Sequence, residues 1–278
     1  MKKINRRSFL AAAGLTAAAL ALTACGGSAS STASSTASSV ASSEAASTSA
    51  AAELTTVEAG KLTMATNAAF PPYEMTTDAG EFEGIDIDTA KAIAEKLGLE
   101  LQIDDMDFDA ALLSVQQGKA DIVMAGVTVT DERKAVMDFS DSYATGIQSI
   151  IVPEGSDITS PDDLAGKKIG TQRGTTGYIY CSDDFGDDAV VAYDDGLTAV
   201  QALNNGQVDA VVIDNAPAKE FVAANPGLVI LDTSYAEEDY AIGLAKGSTL
   251  EDAVNAALEE LKADGTLQSI VDKYITAE

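Results

Sequence analysis

From about residue 60 onward, the chain alternates short apolar runs with amphipathic segments of helical period. "KLTMAT" and "ADIVMAG" are apolar runs of strand length. "DTAKAIAEKLG" places its apolar residues on one helical face and stops at Gly98. "ADIVMAG" is almost unbroken, which is typical of a strand covered on both faces of an α/β sheet. The same alternation returns in "KKIGTQ", "AVVAY", "GLTAVQALNNG" and "VDAVVID". The pattern therefore predicts an α/β protein.

Two of these stretches align without gaps, namely "SVQQGKADIVMAG" (114–126) and "ALNNGQVDAVVID" (202–214). Each predicts a helix, a glycine turn and a buried strand, so we expect two similar lobes. Ligands bind beyond the carboxyl ends of such strands, which places "AGVT" and "DNAP" at a cleft between the lobes. The last two helical segments are too many for the second lobe. We expect them to return to the first lobe through "YAIGLAKG", which implies two hinge strands.

The amino-acid composition excludes several classes of function. The chain has 17 Lys and Arg against 44 Asp and Glu and contains no histidine, so it offers neither a basic surface for nucleic acid nor a histidine-based catalytic or zinc site. The two cysteines, Cys25 and Cys181, cannot form a four-thiolate cluster or a disulfide framework. The acidic runs "DDMDFD" and "DDFGDD" lack the spacing of a calcium loop. We expect no metal and no cofactor.

The N-terminus has the features of an export signal. Four cations within residues 2–7 precede an apolar run that extends to residue 24. "NRRSFL" is similar to a twin-arginine signal, although the general secretory route stays open. "LTAC" is similar to a lipobox, with Cys25 as the acylated first residue of the mature chain. Removal of residues 1–24 would remove the four cations and take the net charge from −27 to −31.

The following segment predicts a tether rather than a folded unit. Residues 25–57 are mostly Ser, Ala and Thr, with few large apolar side chains, and cannot bury a core. An Ala-rich helix is the competing interpretation, which the dense serines and threonines disfavour. We expect a first lobe of residues 58–147 and 243–278, a second lobe of residues 148–242, and a location on the outer face of the cell membrane through the lipid anchor alone.

Several motifs in this folded part resemble a known family. "ATNAAFPPYE", "GIDID", "MDFDAALLSVQQGKADIVMAGVTVTDERKAVMDFS", "TQRGTTG" and "VDAVVIDNAP" resemble the amino-acid-binding proteins of ABC importers, solute-binding protein family 3, which includes the glutamine-binding proteins. The resemblance covers roughly residues 60–275. It implies a two-lobed periplasmic-binding-protein fold of class II that closes on its ligand. It also implies a small amino-acid ligand, a membrane permease with its ATPase as partner, a monomer and no enzymatic activity.

Arg133 is the main candidate for binding the ligand. It lies on the first turn of a predicted helix, with Thr130 as a plausible N-cap, in a strongly acidic chain. Its planar guanidinium can hold an α-carboxylate with two parallel hydrogen bonds, and backbone N–H groups near Thr128 add to the attraction. An arginine in "DERK" is otherwise a surface residue paired with an acid. The surrounding motifs favour the ligand clamp.

The family resemblance supplies the other candidate residues. It implies that Thr176 in the second lobe supplies an N–H donor. It assigns the acceptors for the α-ammonium group to Asp214, Thr128 and Gly126. It also implies that the rings of Phe70 and Phe108 lie on either side of the ligand side chain. Asp214 could instead only cap the following helix, and the two phenylalanines could be ordinary core residues.

Two departures from relatives concern the ligand side chain. Asn67 stands where glutamine- and basic-amino-acid-binding relatives carry an aspartate, and Gln172 stands where the glutamine-binding protein carries a lysine. Both amides donate and accept hydrogen bonds, so we expect a neutral polar ligand side chain. Arg173 could favour an acidic ligand, and the nearby acids Glu74 and Asp107 a basic one. A dehydratase of the same fold and a ligand sensor for a membrane receptor remain as alternative functions.

Overall fold

The computed structural model describes residues 54–275, which form two α/β lobes. The strands, in chain order, are β1 (Lys61–Thr66), β2 (Ala69–Phe70), β3 (Glu74–Thr76), β4 (Phe82–Glu83), β5 (Glu100–Asp105), β6 (Ile122–Val123), β7 (Met137–Phe139), β8 (Ala144–Pro153), β9 (Ile169–Gln172), β10 (Val190–Tyr193), β11 (Ala210–Asp214), β12 (Leu228–Ile230), β13 (Ala236–Tyr240) and β14 (Gly243–Ala245). The helices are α1 (Ile85–Leu97), α2 (Phe108–Gln116), α3 (Asp131–Lys134), α4 (Thr176–Phe185), α5 (Gly196–Asn204), α6 (Asn215–Ala224), α7 (Glu251–Ala263) and α8 (Thr266–Tyr274). Short 3-10 turns occupy Pro161–Leu164 and Asp187–Ala189.

The first lobe is built on a sheet with the order β5-β1-β6-β14-β7. β1, β5 and β6 are parallel, and β14 is antiparallel to both of its neighbours. Because side chains alternate along a strand, Met64 packs toward α1, α7 and α8, whereas the next residue, Ala65, packs toward α2. Both faces are therefore covered, which explains why the apolar run that includes β6 is so little interrupted.

The second lobe repeats this plan with the order β10-β9-β11-β8-β12, and β13 also pairs with β8. Val211 and Ile213 face α5 and α6, whereas Val212 faces α4. Cys181 on α4 is fully buried in this second layer, and burial raises the pKa of its thiol to about 12. It is accordingly a core residue rather than a reactive thiol.

Two antiparallel strands connect the lobes. The chain leaves the first sheet after β7, enters the second through β8, and returns along β13, which pairs with β8 from Ala144 opposite Tyr240 to Gln148 opposite Ala236. It then re-enters the first sheet as β14, so that α7 and α8 pack on α1. The predicted two-lobed α/β fold with two hinge strands is thus confirmed. The predicted lobe boundaries, at residues 147/148 and 242/243, stay a prediction.

The aligned repeats are the same structural unit in both lobes. Gly118 and Gly206 follow their helices with φ of 65° and 67°, the left-handed conformation that ends a helix without a Cβ penalty. Three residues later, Asp121 accepts a hydrogen bond from the N–H of Thr63 at 2.8 Å, and Asp209 accepts one from Lys168 at 2.7 Å. Each aspartate therefore binds the backbone at or beside the start of the adjacent parallel strand, which gives the repeat a physical cause.

Contacts with the fold begin inside the segment 25–57 that the composition predicts as a tether. Leu54 packs against the core of the first lobe, and the N–H of Val57 donates to Asp121 at 2.7 Å. The predicted signal peptide, the lipidated Cys25 and most of the tether lie outside the described residues. Within residues 54–275, no helix combines the length and apolar character that a bilayer crossing needs.

Candidate ligand-binding site

A small cavity lies between the two lobes. It is bordered by the segments that follow β1, β6 and β9, as expected for ligands at the carboxyl ends of parallel strands. Eight of the nine ligand-contact residues predicted from the sequence line it; Asp214 does not. The lining residues are Asn67, Phe70, Glu74, Phe108, Ala125, Gly126, Thr128, Arg133, Gln148, Gln172, Thr175, Thr176 and Tyr240.

Arg133 is the cation of this cavity. The residue is only 8% exposed, and burial lowers the pKa of its guanidinium group. Nη1 donates to the carbonyl of Thr128 at 2.7 Å and Nη2 to that of Gly174 at 3.1 Å, which leaves further N–H donors of the five for another acceptor. Among residues 54–275, no carboxylate lies within ion-pair distance of it. An anionic ligand would supply the missing countercharge.

The backbone around Arg133 orients its side chain toward the cavity. Thr130 is the N-cap of α3, and its hydroxyl accepts a hydrogen bond from the N–H of Arg133 at 3.2 Å. This is the predicted cap. However, α3 has only four residues, so its helix dipole contributes little. The attraction for an anion in this lobe therefore rests on the guanidinium group itself.

The second lobe brings the start of a longer helix to the same cavity. α4 begins at Thr176, and the hydroxyl of its N-cap, Thr175, accepts from the N–H of Tyr178 at 3.4 Å. The first N–H groups of a helix have no partner within it and favour an anion. Thr175 and Thr176 both line the cavity, so the start of α4 and Arg133 can bind one carboxylate from two lobes.

The lobes are in contact across the cavity. The amide of Gln172 donates to the side-chain oxygen of Asn67 at 2.8 Å, and the hydroxyls of Thr128 and Thr176 lie 3.4 Å apart. Sequence reasoning placed Asn67 and Gln172 at the site but did not anticipate that they bind each other. Their pairing means that the two amides bridge the lobes as well as bordering the cavity.

Gly174 allows this close approach. It adopts φ of +72°, and a Cβ at this position would collide with the carboxylate of Asp109, which comes from the opposite lobe. The positive φ favours glycine here, and an added Cβ would displace the exposed side chain of Asp109.

Aromatic rings cover two sides of the cavity. Phe108 is 5% exposed, and the Arg133 guanidinium carbon lies 5.4 Å from its ring centroid. Phe70 stacks on Tyr73 with centroids 5.9 Å apart. Both predicted phenylalanines thus border the cavity while also packing against the lobe cores. The ligand-contact and core interpretations of these residues are compatible.

Asp214 occupies a different position from the other predicted residues. It is 2% exposed, its Oδ1 accepts from the N–H of Ala216 at 2.9 Å, and its Oδ2 accepts from the N–H of Ile147 at 2.8 Å. Burial raises its pKa to about 6, and these two N–H groups partly oppose the shift. Tyr240, a cavity residue, lies beside it. Asp214 thus caps α6, as the alternative interpretation held, and lies behind Tyr240.

Other acids lie closer to the cavity. Glu74 lines it and is fully buried. Glu238 on hinge strand β13 accepts hydrogen bonds at 3.0 Å from the hydroxyl of Thr128 and from the amide of Gln148. Sequence reasoning noted Glu74 only as a nearby acid and missed Gln148, Glu238 and Tyr240. The available signal was Gln148 in the mostly apolar strand β8, whereas the mostly acidic β13 gave no such signal for Glu238.

Fold and site together define a two-lobed protein whose interlobe cavity, with its buried guanidinium, suits a small ligand that bears a negative charge. The chain belongs to the bacterial extracellular solute-binding proteins, family 3, whose family model matches residues 62–277. The members to which it is similar are amino-acid-binding components of ABC transporters. They are transport proteins rather than enzymes, so the dehydratase alternative is excluded.

Individual relatives differ in their ligands. The chain is 33% identical over 226 residues to the L-cystine-binding protein TcyJ of Escherichia coli K12, covering 80% of this chain and 85% of the relative. An ancestral arginine-binding protein bound to glutamine has a TM-score of 0.75 and 43% identity, covering 78% of this chain and 99% of that one. The arginine-bound form has a TM-score of 0.74 and 43% identity, covering 78% and 98%.

Proposed function

We propose that this protein captures an L-amino acid with a neutral polar or cationic side chain and delivers it to an ABC permease. The ligand binds in the cavity between the lobes, and hinge closure completes the site. Arg133, together with the N–H groups at the start of α4, holds the α-carboxylate. The Thr128 hydroxyl and the Gly126 carbonyl accept hydrogen bonds from the α-ammonium group. The negative charge of Asp214, which lies beside Tyr240, stabilises the positive charge of that group.

The observation that carries this proposal is the buried, unpaired guanidinium of Arg133 in a cavity formed by both lobes. A buried charge without a countercharge is costly, and a ligand carboxylate offsets that cost only when the lobes close. Two interlobe contacts, of Arg133 with Gly174 and of Asn67 with Gln172, join the lobes in the closed arrangement. Binding and closure are therefore coupled.

The preference for the side chain follows from the polarity of the remaining wall. Asn67 and Gln172 offer amide groups, Phe70 and Phe108 can cover an apolar stem, and Glu74 adds a carboxyl group. Arg133 is the one cation lining the cavity within the described residues, and the α-carboxylate uses it. An acidic side chain would meet Glu74 without a partner. We therefore place glutamine and arginine among the ligands and exclude glutamate.

The rest of the proposal concerns the cell envelope. Acylation of Cys25 would hold the protein at the outer face of the membrane, with residues 25–53 as a tether between the anchor and the fold. The protein would act as a monomer there, since one chain supplies both halves of the site. A sensor role would use the same binding step with a receptor in place of the permease.

A thermal-shift screen against the twenty common L-amino acids tests the proposal. A ligand present at ~100 times its Kd should stabilise the folded protein by ~2.7 kcal/mol. We expect a clear rise in Tm with glutamine or arginine and none with glutamate. Arg173→Ala should behave like the wild type, whereas Arg133→Ala should lose the rise. A flat response to all twenty amino acids, or a rise with glutamate alone, would disprove the assignment.

A further inference from the structure

Two buried carboxyl groups meet in the wall of the cavity without a cation to balance them. Glu74 on β3 and Asp86 on α1 are both fully buried, and the N–H of Asp86 donates to the carbonyl of Tyr73, the residue before Glu74, at 2.9 Å. Asp86 Oδ2 accepts from the N–H of Gly126 at 3.0 Å and from the hydroxyl of Tyr143 at 2.8 Å. Asp86 Oδ1 and both oxygens of Glu74 have no other donor among the described residues. A proton between the two groups would satisfy this arrangement.

The surroundings reinforce the need for a proton. The charged groups that act on Glu74 are Asp86 from α1, Asp105 from β5 and Asp214 from β11, all acidic. Tyr73 and Tyr143 are neutral neighbours, because burial raises the pKa of both phenols. Burial and the negative charge of Asp86 likewise raise the pKa of Glu74 well above its usual value, and burial raises that of Asp86 to about 6. Arg133 lines the same cavity, but it forms no ion pair with Glu74 within residues 54–275.

Glu74 differs from a structural buried acid because it also lines the ligand cavity. A protonated carboxyl group there can donate one hydrogen bond and accept others, which suits an amide or a hydroxyl group. A carboxylate at the same place suits a guanidinium or an ammonium group, with which it forms charge-assisted bonds. The chemistry offered to the ligand side chain therefore depends on one proton.

We propose that Glu74 and Asp86 share one proton when the cavity holds a neutral side chain, and that a cationic side chain displaces this proton. The proposal rests on the function proposed above and adds how one pocket serves two classes of ligand. With a neutral ligand, the pair carries one negative charge and Glu74 acts as a hydrogen-bonding acid. With a cationic ligand, the proton leaves to the solvent and both carboxylates are balanced in part by the ligand.

The proposal implies a pH dependence that differs between the ligands. Because arginine competes with a proton, its affinity should fall as the pH is lowered from 8 to 6, by up to ~10-fold per pH unit. Glutamine displaces no proton, and its affinity should change much less over this range. The ratio of the two affinities is therefore the quantity to follow.

Calorimetric titration of the full-length chain with L-arginine and with L-glutamine tests this directly. Repeating each titration at pH 7 in phosphate and in Tris, which differ in ionisation enthalpy, gives the number of protons released. We expect about one proton per arginine and none per glutamine. Glu74→Gln should abolish the release and lower the arginine-to-glutamine affinity ratio at least ~10-fold. Asp107→Asn is the matched control, because Asp107 is an exposed acid next to Phe108 that, unlike Glu74, does not line the cavity, and it should keep both properties.

The outcomes separate this proposal from the function on which it rests. If both amino acids bind and release the same number of protons in the wild-type protein, the shared proton is disproved while amino-acid binding stands. This result does not depend on whether Glu74→Gln folds. If neither amino acid binds, the proposed function is overturned and the proton exchange with it.

Discussion

Replacing Arg133 by alanine should remove the countercharge that the ligand carboxylate needs. In the wild-type protein Arg133 is 8% exposed, and its guanidinium donates to two backbone carbonyls, at 2.7 Å and 3.1 Å. After the substitution, an amino acid that enters the closed cavity would bury its carboxylate with only the N–H groups of α4 to bind it. The penalty falls on the bound state, because the free lobes can open and leave the ligand in water.

The size of the effect follows from the burial of the pair. Leaving one member of a buried charge pair without its partner costs about 2–5 kcal/mol, which corresponds to a loss of affinity of roughly 30- to 4,000-fold. In the free protein, the change in the free energy of unfolding is smaller, because two effects of the substitution oppose each other. Two hydrogen bonds and the contact with Phe108 are lost, but an uncompensated buried charge is removed as well. We therefore expect the Tm without ligand to change by only a few degrees.

Calorimetric titration of Arg133→Ala with the best ligand of the screen measures the loss. Arg173→Ala provides the control, since Arg173 is 55% exposed and its contact with Asp194 at 3.4 Å is a surface ion pair worth little. Arg133→Lys should recover only part of the affinity, because an ammonium cannot form the bidentate contact. Binding of Arg133→Ala within about threefold of the wild type would refute the assignment of the α-carboxylate to this residue.

Four further predictions concern other parts of the molecule. Asp214→Ala should weaken ligand binding at least ~10-fold, as calorimetric titration would measure. It should also lower the free energy of unfolding by about 1–2 kcal/mol in urea unfolding, because it removes the cap of α6. Full affinity in this variant would exclude a role of Asp214 at the ammonium group. Gly174→Ala should weaken binding more than Gly186→Ala, since both glycines have positive φ but only the first would collide with another residue; equal losses would show that closure does not bring Asp109 to this position. Without ligand, stability should fall as the pH rises from 4 through about 6, because burial raises the folded pKa of Asp86 above its unfolded value and the folded state therefore binds more protons. This contributes on the order of 2–3 kcal/mol, and Tm measurements should find the fall smaller in Asp86→Asn, which removes the titrating group. Cys25→Ser should release the protein from membranes or leave an uncleaved precursor while ligand binding is unchanged; a wild-type protein found wholly in the culture fluid and cleaved elsewhere would contradict the lipid anchor.

The parts of the fold that depend on local sequence were predictable. Thr130 caps α3, and Gly118 and Gly206 end their helices, because caps and positive φ are properties of a few neighbouring residues. The two-lobed plan followed from the repeat, since two similar buried strands need two layers of helices each. Periodicity alone would not have identified the ligand. That step required the motifs around Arg133.

Features that depend on contacts between distant segments were not predictable. Asp86 has the sequence position of a solvated acid in the first turn of a helix, yet it is fully buried against Glu74 from the preceding hairpin. Likewise, the bond between Asn67 and Gln172 depends on how far the hinge closes. A sequence shows that these residues are polar and near strand ends. It does not show which polar groups meet when the lobes come together.

The central claim is that the cavity recognises the α-carboxylate and α-ammonium groups of an amino acid. Calorimetric titration with L-arginine and agmatine, and with L-glutamine and 4-aminobutanamide, tests it most directly, because each second compound is the first without its carboxylate. We predict that at least one amino acid binds with one molecule per chain and that its decarboxylated analogue binds at least ~100-fold more weakly, a difference of ~2.7 kcal/mol. An analogue that binds as tightly as its parent amino acid would contradict the account.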